Sequence, residues 1–174
     1  MKKKIVLIGM MGSGKSTIGK MLSKILNLDF VDTDILIEKK CGLTIKQIFK
    51  EYNENYFRNV EEKLILNILL NKKRPCVIAL GGGAFLKKNL QKIILKKTIS
   101  IWLDSSVNLI YKRCNKSKKR PLLLTENNKK LKDVIKDLLK KRRKAYVKAE
   151  FTVKNNDKPI KVCKKILFKI KKLI

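Results

Sequence analysis

The chain has 174 residues, 44 of them Lys or Arg against 14 Asp or Glu, giving a net charge of +30, and it contains no histidine. That length suits one domain, and an apolar share of 44% supplies a core and excludes a disordered chain. The missing imidazole excludes Ser-His-Asp and Cys-His nucleophiles, His-ligated zinc and a histidine proton shuttle, leaving acid–base work to carboxylates and lysines.

In chain order, Ile5 to Ile8 is an unbroken apolar run between lysines and Gly9, the pattern of a strand covered on both faces of a parallel sheet. Helical spacing begins at Lys15 and puts Ile18, Met21, Leu22, Ile25 and Leu26 on one side. A short strand at Phe30 and Val31 runs into Asp32-Thr33-Asp34, and helical patterns follow over Ile35 to Lys40, Thr44 to Tyr52 and Glu54 to Asn71. Cys76 to Leu80 is a third buried run, stopped by Gly81-Gly82-Gly83. A helix near Leu86 to Leu95, a strand at Thr98 to Leu103 and a helix from Ser105 or Ser106 to about Cys114 come next. Asn115 to Asn128 lacks apolar periodicity apart from Pro121 to Leu124 and reads as a long exposed loop, of the kind used as lids. Leu131 to Tyr146 is helical and Phe151 to Val153 a short strand. Ile160 to Ile174 is a closing helix, with Ile160, Cys163, Ile166, Leu167, Ile170 and Ile174 on one side. Such alternation predicts a three-layer α/β domain around a parallel sheet, and no linker or repeat divides 1–174.

Lysine is dispersed along the whole chain, which suits a solvated surface better than a nucleic-acid-binding tail, although a field of this strength attracts polyanions in general. Aromatic residues are 6% and offer no row of stacking platforms. Cys41, Cys76, Cys114 and Cys163 form no CxxC pair and suit reduced thiols of a cytoplasmic protein. The Lys-rich amino terminus resembles the start of a signal peptide, but its apolar run is short, ends in a glycine loop and lacks a cleavage site. No apolar stretch reaches the ~18 residues of a membrane span.

Gly9-Met10-Met11-Gly12-Ser13-Gly14-Lys15-Ser16 satisfies GxxxxGK[ST] between a predicted strand and a predicted helix. Glycines let the chain wrap with amides inward, and the helix start presents its positive end to a phosphate. Lys15 would reach the β- and γ-phosphates and the Ser16 hydroxyl would ligate Mg2+. The dinucleotide fingerprint is absent, because no third glycine follows Gly12-Ser13-Gly14.

Asp32 and Asp34 follow the second strand at the edge where open parallel sheets bind ligands, and strand alternation would aim both at one pocket. One acid would hold the magnesium water shell and the other accept a proton, while a helix cap is the plainer role for Asp34. Gly81, Gly82 and Gly83 end the third strand at the same edge, letting backbone approach a ligand. Arginine occurs only at Arg58, Arg74, Arg113, Arg120, Arg142 and Arg143, so each is a candidate for a bidentate contact that lysine cannot reproduce. Arg58, with Glu61 one turn away, Arg120 and Arg142 suit a carboxylate or phosphate clamp, whereas Arg74 and Arg143 read as surface charges.

Together these residues resemble the shikimate kinase family. The shared pattern is GMMGSGKST at Gly9 to Thr17, FVDTDILIE at Phe30 to Glu38, GLTIKQIF at Gly42 to Phe49, FRNVE at Phe57 to Glu61, LGGG at Leu80 to Gly83, RPLL at Arg120 to Leu123 and RxxxY at Arg142 to Tyr146. It runs in order over nearly the whole chain, which makes it far more specific than the phosphate loop alone.

The resemblance implies a P-loop, nucleoside-monophosphate-kinase-like fold with a five-stranded parallel sheet in the order 2-3-1-4-5. It also implies transfer of the γ-phosphate of ATP, with one Mg2+, to the 3-hydroxyl of shikimate in aromatic amino acid biosynthesis. An acceptor-binding segment would span about 34–61 and a lid about 114–125. Asp34 would contact the acceptor hydroxyls as base, with Gly81, Gly82 and Gly83 lining its pocket and Arg58 and Arg142 clamping its carboxylate. Arg142 is preferred to Arg143 because it keeps the three-residue gap to Tyr146. Gly12, Ser13, Gly14, Lys15, Ser16 and Thr17 would hold the nucleotide, Arg113 and Pro159 would border the adenine, and Ser16 with Asp32 (through water) would serve the metal. Lys15 and Arg120 would stabilise charge on the transferred group. Lys116, Lys118 and Lys119 make this lid more basic than the family pattern leads one to expect. A cytoplasmic monomer with no membrane or specific nucleic-acid partner is expected. The alternatives are a related kinase for gluconate or a nucleoside monophosphate, or a nucleic-acid-binding module.

Overall fold

A computed structural model of the chain describes residues 4–115 and 130–172. Five strands, β1 (Lys4–Ile8), β2 (Asp29–Asp32), β3 (Cys76–Ala79), β4 (Thr98–Asp104) and β5 (Phe151–Lys154), form one sheet in the order β2-β3-β1-β4-β5. Every pairing is parallel, with β1 central between β3 (Val6 opposite Ile78) and β4 (Val6 opposite Ser100).

The unbroken apolar runs are explained by helices on both faces. Ile5 and Leu7 of β1 join Val77, Ile101 and Leu103 under α1 (Lys15–Leu26) and α8 (Pro159–Lys171). Val6 and Ile8 point the other way, with Ile78 and Trp102. That face is covered by α4 (Glu54–Asn71), α5 (Lys88–Lys97), α6 (Val107–Cys114) and α7 (Leu131–Tyr146). Continuous hydrophobicity is therefore a double-sided burial pattern. A smaller core of Ile37, Ile48 and Phe57 joins α2 (Thr33–Cys41) and α3 (Ile45–Glu51) to the start of α4. Thr44 and Gln47 form a reciprocal capping box that starts α3.

The expected elements are present, with local shifts. β3 ends at Ala79, one residue before the predicted end, and β4 continues to Asp104. The helix expected from Leu86 is a 3-10 turn over Ala84–Leu86 followed by α5, with Phe85 buried and Leu86 41% exposed. On α8 the buried stripe is Val162, Cys163, Ile166 and Ile170, while Ile160 is 46% exposed. All four cysteines are free thiols. Among the described residues no helix is long and apolar enough to cross a membrane.

Candidate active site

The loop between β1 and α1 turns through three glycines with positive φ, Gly9 (149°), Gly12 (77°) and Gly14 (88°), values that side-chain-bearing residues rarely adopt. Gly14 is the N-cap of α1 and has no side chain to cover the first-turn amides, so these remain for an anion. Lys15 Nζ curls back and donates to Gly9 O and Met10 O, both at 2.9 Å. The carbonyl of Ser13 accepts from Asn155 Nδ2, and from Ser105 Oγ at 3.4 Å, which ties the loop to the ends of β4 and β5.

A cavity of about 380 Å³ opens over this loop, lined by Gly12, Gly14, Lys15, Ser16, Thr17, Asp32, Asp34, Arg113, Asn155 and Pro159, among others. Arg113 reaches in from α6 and donates from Nη1 to Gly12 O at 3.2 Å. Among the described residues expected to hold the nucleotide, Ser13 alone is turned away. It is fully buried, its N–H donates to Met10 O at 3.0 Å, and it shapes the loop without facing the cavity. Asn155 was not anticipated from sequence; its only signal is its place as the first polar residue after β5 at the ligand-binding edge.

Both acids reach the cavity, though not by strand alternation. β2 stops at Asp32, and Thr33 and Asp34 already belong to α2. Asp32, not Asp34, caps that helix, accepting from Asp34 N at 3.1 Å on Oδ1. Its Oδ2 accepts from Ser16 Oγ at 2.5 Å, so the hydroxyl and carboxylate expected to serve a metal meet directly. Burial pushes the Asp34 carboxyl up to about 6, with Asp32 and Glu61 adding to the rise while Lys15 and Arg58 oppose it. Buried Thr33, between the acids, accepts from Gly81 N at 2.9 Å and donates to Ala79 O at 3.3 Å, pinning the glycine turn beside Asp34.

Each glycine of the triplet makes room for a charged side chain of the protein itself. A Cβ on Gly81 would overlap Glu61 Oε1 and lie 2.8 Å from Asp34 Oδ1. On Gly82 it would lie 3.1 Å from Arg142 Nη1, and on Gly83 2.7 Å from Arg58 Cζ. The turn therefore gathers two acids and two arginines within contact of three consecutive residues. Arg58, Arg142 and the glycines do not line the nucleotide cavity; the two groups of residues join at Asp34.

The arginines are held differently. Arg58 Nη1 pairs with Glu61 Oε2 at 2.7 Å and Nη2 with Glu54 Oε1 at 3.0 Å, and its guanidinium lies 5.0 Å from the centre of the Phe57 ring. Glu61 is 1% exposed, and burial pushes its carboxyl up despite Arg58. Arg142 is 4% exposed and donates from Nη1 to Gly82 O at 3.2 Å. Arg143 is exposed and lies 5.3 Å over the Trp102 ring, so of the two neighbours it is Arg142 that reaches the glycine turn. Arg120 and nearly all of the expected lid, 114–125, fall outside the described residues.

A family model described as shikimate kinase matches residues 11–171. The shikimate kinase of Bartonella henselae is 43% identical over 152 residues, 87% of this chain and 70% of that protein. That of Thermodesulfovibrio yellowstonii is 40% identical over 172 residues, covering 98% and 96% of the two chains. A solved shikimate kinase from Acinetobacter baumannii in complex with shikimate superposes with a TM-score of 0.90 at 34% identity, over 97% of this chain and 92% of that one. A gluconokinase from Sinorhizobium meliloti reaches only 0.57 at 15% identity, over 99% and 93% of the chains, a likeness of fold alone. A family model over most of the chain and relatives that resemble it over nearly its whole length agree, and the chain belongs to the shikimate kinase family.

Proposed function

We propose that the chain transfers the γ-phosphate of ATP to the 3-hydroxyl of shikimate, giving shikimate 3-phosphate and ADP. The observation that carries this reading is the glycine turn, which sets Arg58 and Arg142 around one edge of a site whose other edge is Asp34 on the wall of the phosphate-loop cavity. That layout suits a small acceptor with a carboxylate at one end and a hydroxyl at the other.

Phosphoryl transfer depends on positioning and charge neutralisation, which these residues are equipped to provide without histidine. The amides at Gly12, Gly14, Lys15, Ser16 and Thr17 cradle the phosphates, and Arg113 and Pro159, also on the cavity wall, would border the base. Lys15, resting on loop carbonyls, is placed to swing onto the β- and γ-phosphates. One hydroxyl and one carboxylate, Ser16 and Asp32, are a fitting donor set for Mg2+, which keeps several waters and takes the rest of its ligands from phosphates. Bound there, the ion would draw charge from the phosphate oxygens. Asp34, ionised at neutral pH yet raised close to it, accepts the proton of the hydroxyl as its oxygen bonds to phosphorus. Arg58 and Arg142 hold the carboxylate, and Arg120 supplies positive charge over the transferred group.

An ADP-release assay across shikimate, gluconate and CMP tests the reading. Turnover is expected with shikimate alone, and phosphorylation of gluconate without any of shikimate would overturn it.

A further inference from the structure

Arg142 is a buried cation whose hydrogen-bond partners among the described residues are all neutral. Nη1 donates to Gly82 O at 3.2 Å and to Met10 Sδ at 3.8 Å. The Tyr146 hydroxyl, one turn along α7, is a further hydrogen-bond partner of Arg142 and donates in turn to Gly82 O; it lies 3.9 Å from Met10 Sδ. Met10 is 1% exposed and Tyr146 is fully buried. Among the described residues no carboxylate forms an ion pair with Arg142, in contrast to Arg58, which is bonded to both Glu54 and Glu61.

A buried guanidinium is ordinarily held by an acid, which also cancels its charge. A carbonyl, a phenol and a thioether orient the fork without pairing its charge, and the buried acid Glu61 acts on it only through space while bonded to Arg58. We infer that Met10 and Tyr146 are positioning residues that hold Arg142 through neutral acceptors and so reserve its charge for the carboxylate of the acceptor. Arg58, neutralised by two acids, then contributes mainly geometry to the clamp. Met10 belongs to the phosphate loop, and its carbonyl accepts from Lys15 Nζ at 2.9 Å. One residue thus touches the lysine of the nucleotide site through its backbone and the arginine of the acceptor site through its side chain.

The inference rests on the shikimate kinase reading, and the test separates the two. Steady-state kinetics would be measured for the wild-type chain and the Tyr146→Phe, Met10→Leu and Met10→Gln variants. The acceptors are shikimate and its analogue with a neutral hydroxymethyl group in place of the carboxylate. Tyr146→Phe should raise KM for shikimate about tenfold, the scale of one lost hydrogen bond to a charged group, with kcat within about threefold. Met10→Leu should raise KM by roughly threefold, because sulfur is a weak acceptor, and Met10→Gln should restore it. For the neutral analogue, KM should be the same in wild type and variants. Equal KM increases for both acceptors, or unchanged KM for shikimate in Tyr146→Phe, would overturn the inference. No shikimate turnover by the wild-type chain would instead defeat the reading beneath it, and the inference with it.

Discussion

Asp34 combines two demands that conflict. Its carboxyl is raised to about 6 because it is buried near Asp32 and Glu61, against an ordinary value of 3.8. The folded chain therefore binds that proton more tightly than the unfolded chain does. The stabilisation is complete below about pH 4 and is lost as pH rises through 6. Asp34→Asn cannot ionise, so it should melt at a higher temperature than wild type at pH 7, with the gap closing towards pH 4 in thermal scans. The same substitution removes the proposed base and should reduce kcat by roughly 10² to 10⁴. In the wild type, kcat/KM should fall as pH drops through about 6. A variant less stable than wild type at pH 7, or one with near-normal turnover, would remove Asp34 from this role.

At the scale of elements, the glycine turn after β3 is the organising piece. Gly83→Ala would drive a methyl group to 2.7 Å from Arg58 Cζ, and Arg58 is a long side chain that can yield. The expected result is a stability change within about 1 kcal/mol and an acceptor KM raised roughly tenfold, with KM for ATP unchanged, as seen by calorimetry and steady-state kinetics. The sequence shows that these glycines sit at a binding edge, but not that their missing side chains make room for Asp34, Glu61, Arg142 and Arg58 in turn. That depends on contacts between residues as much as 60 positions apart, as in Arg142 to Gly82. The phosphate loop, the buried runs and the Arg142–Tyr146 spacing are legible because each is local and tied to a repeating backbone geometry. Asp32 and Asp34 converge for a reason other than the strand periodicity that suggested it, since α2 begins at Thr33. Ile160 yields its predicted buried place to Val162 because the packing of α8 on the sheet, not apolar identity alone, decides which side faces inward.

Over the whole molecule, the +30 charge is a lysine-rich surface around a site where acids and arginines are grouped with care. Exposed acids are met by lysines, as in Lys72–Asp29 and Lys165–Asp157, whereas Asp32, Asp34 and Glu61 gather at the site. A positive field raises the local concentration of anionic ligands such as ATP and a carboxylate acceptor, an effect screened by salt. The fold then brings the phosphate loop, the two acids and the glycine turn together at the carboxyl edge of one parallel sheet, where loops carry function and strands keep them in place. In the proposed function this edge directs phosphate to one hydroxyl of a small carboxylic acid. Phosphorus and proton NMR of the product formed from ATP and shikimate tests it most directly. A single phosphate ester at the 3-hydroxyl is the predicted result, and an ester at another hydroxyl, or release of inorganic phosphate with shikimate unchanged, would contradict it.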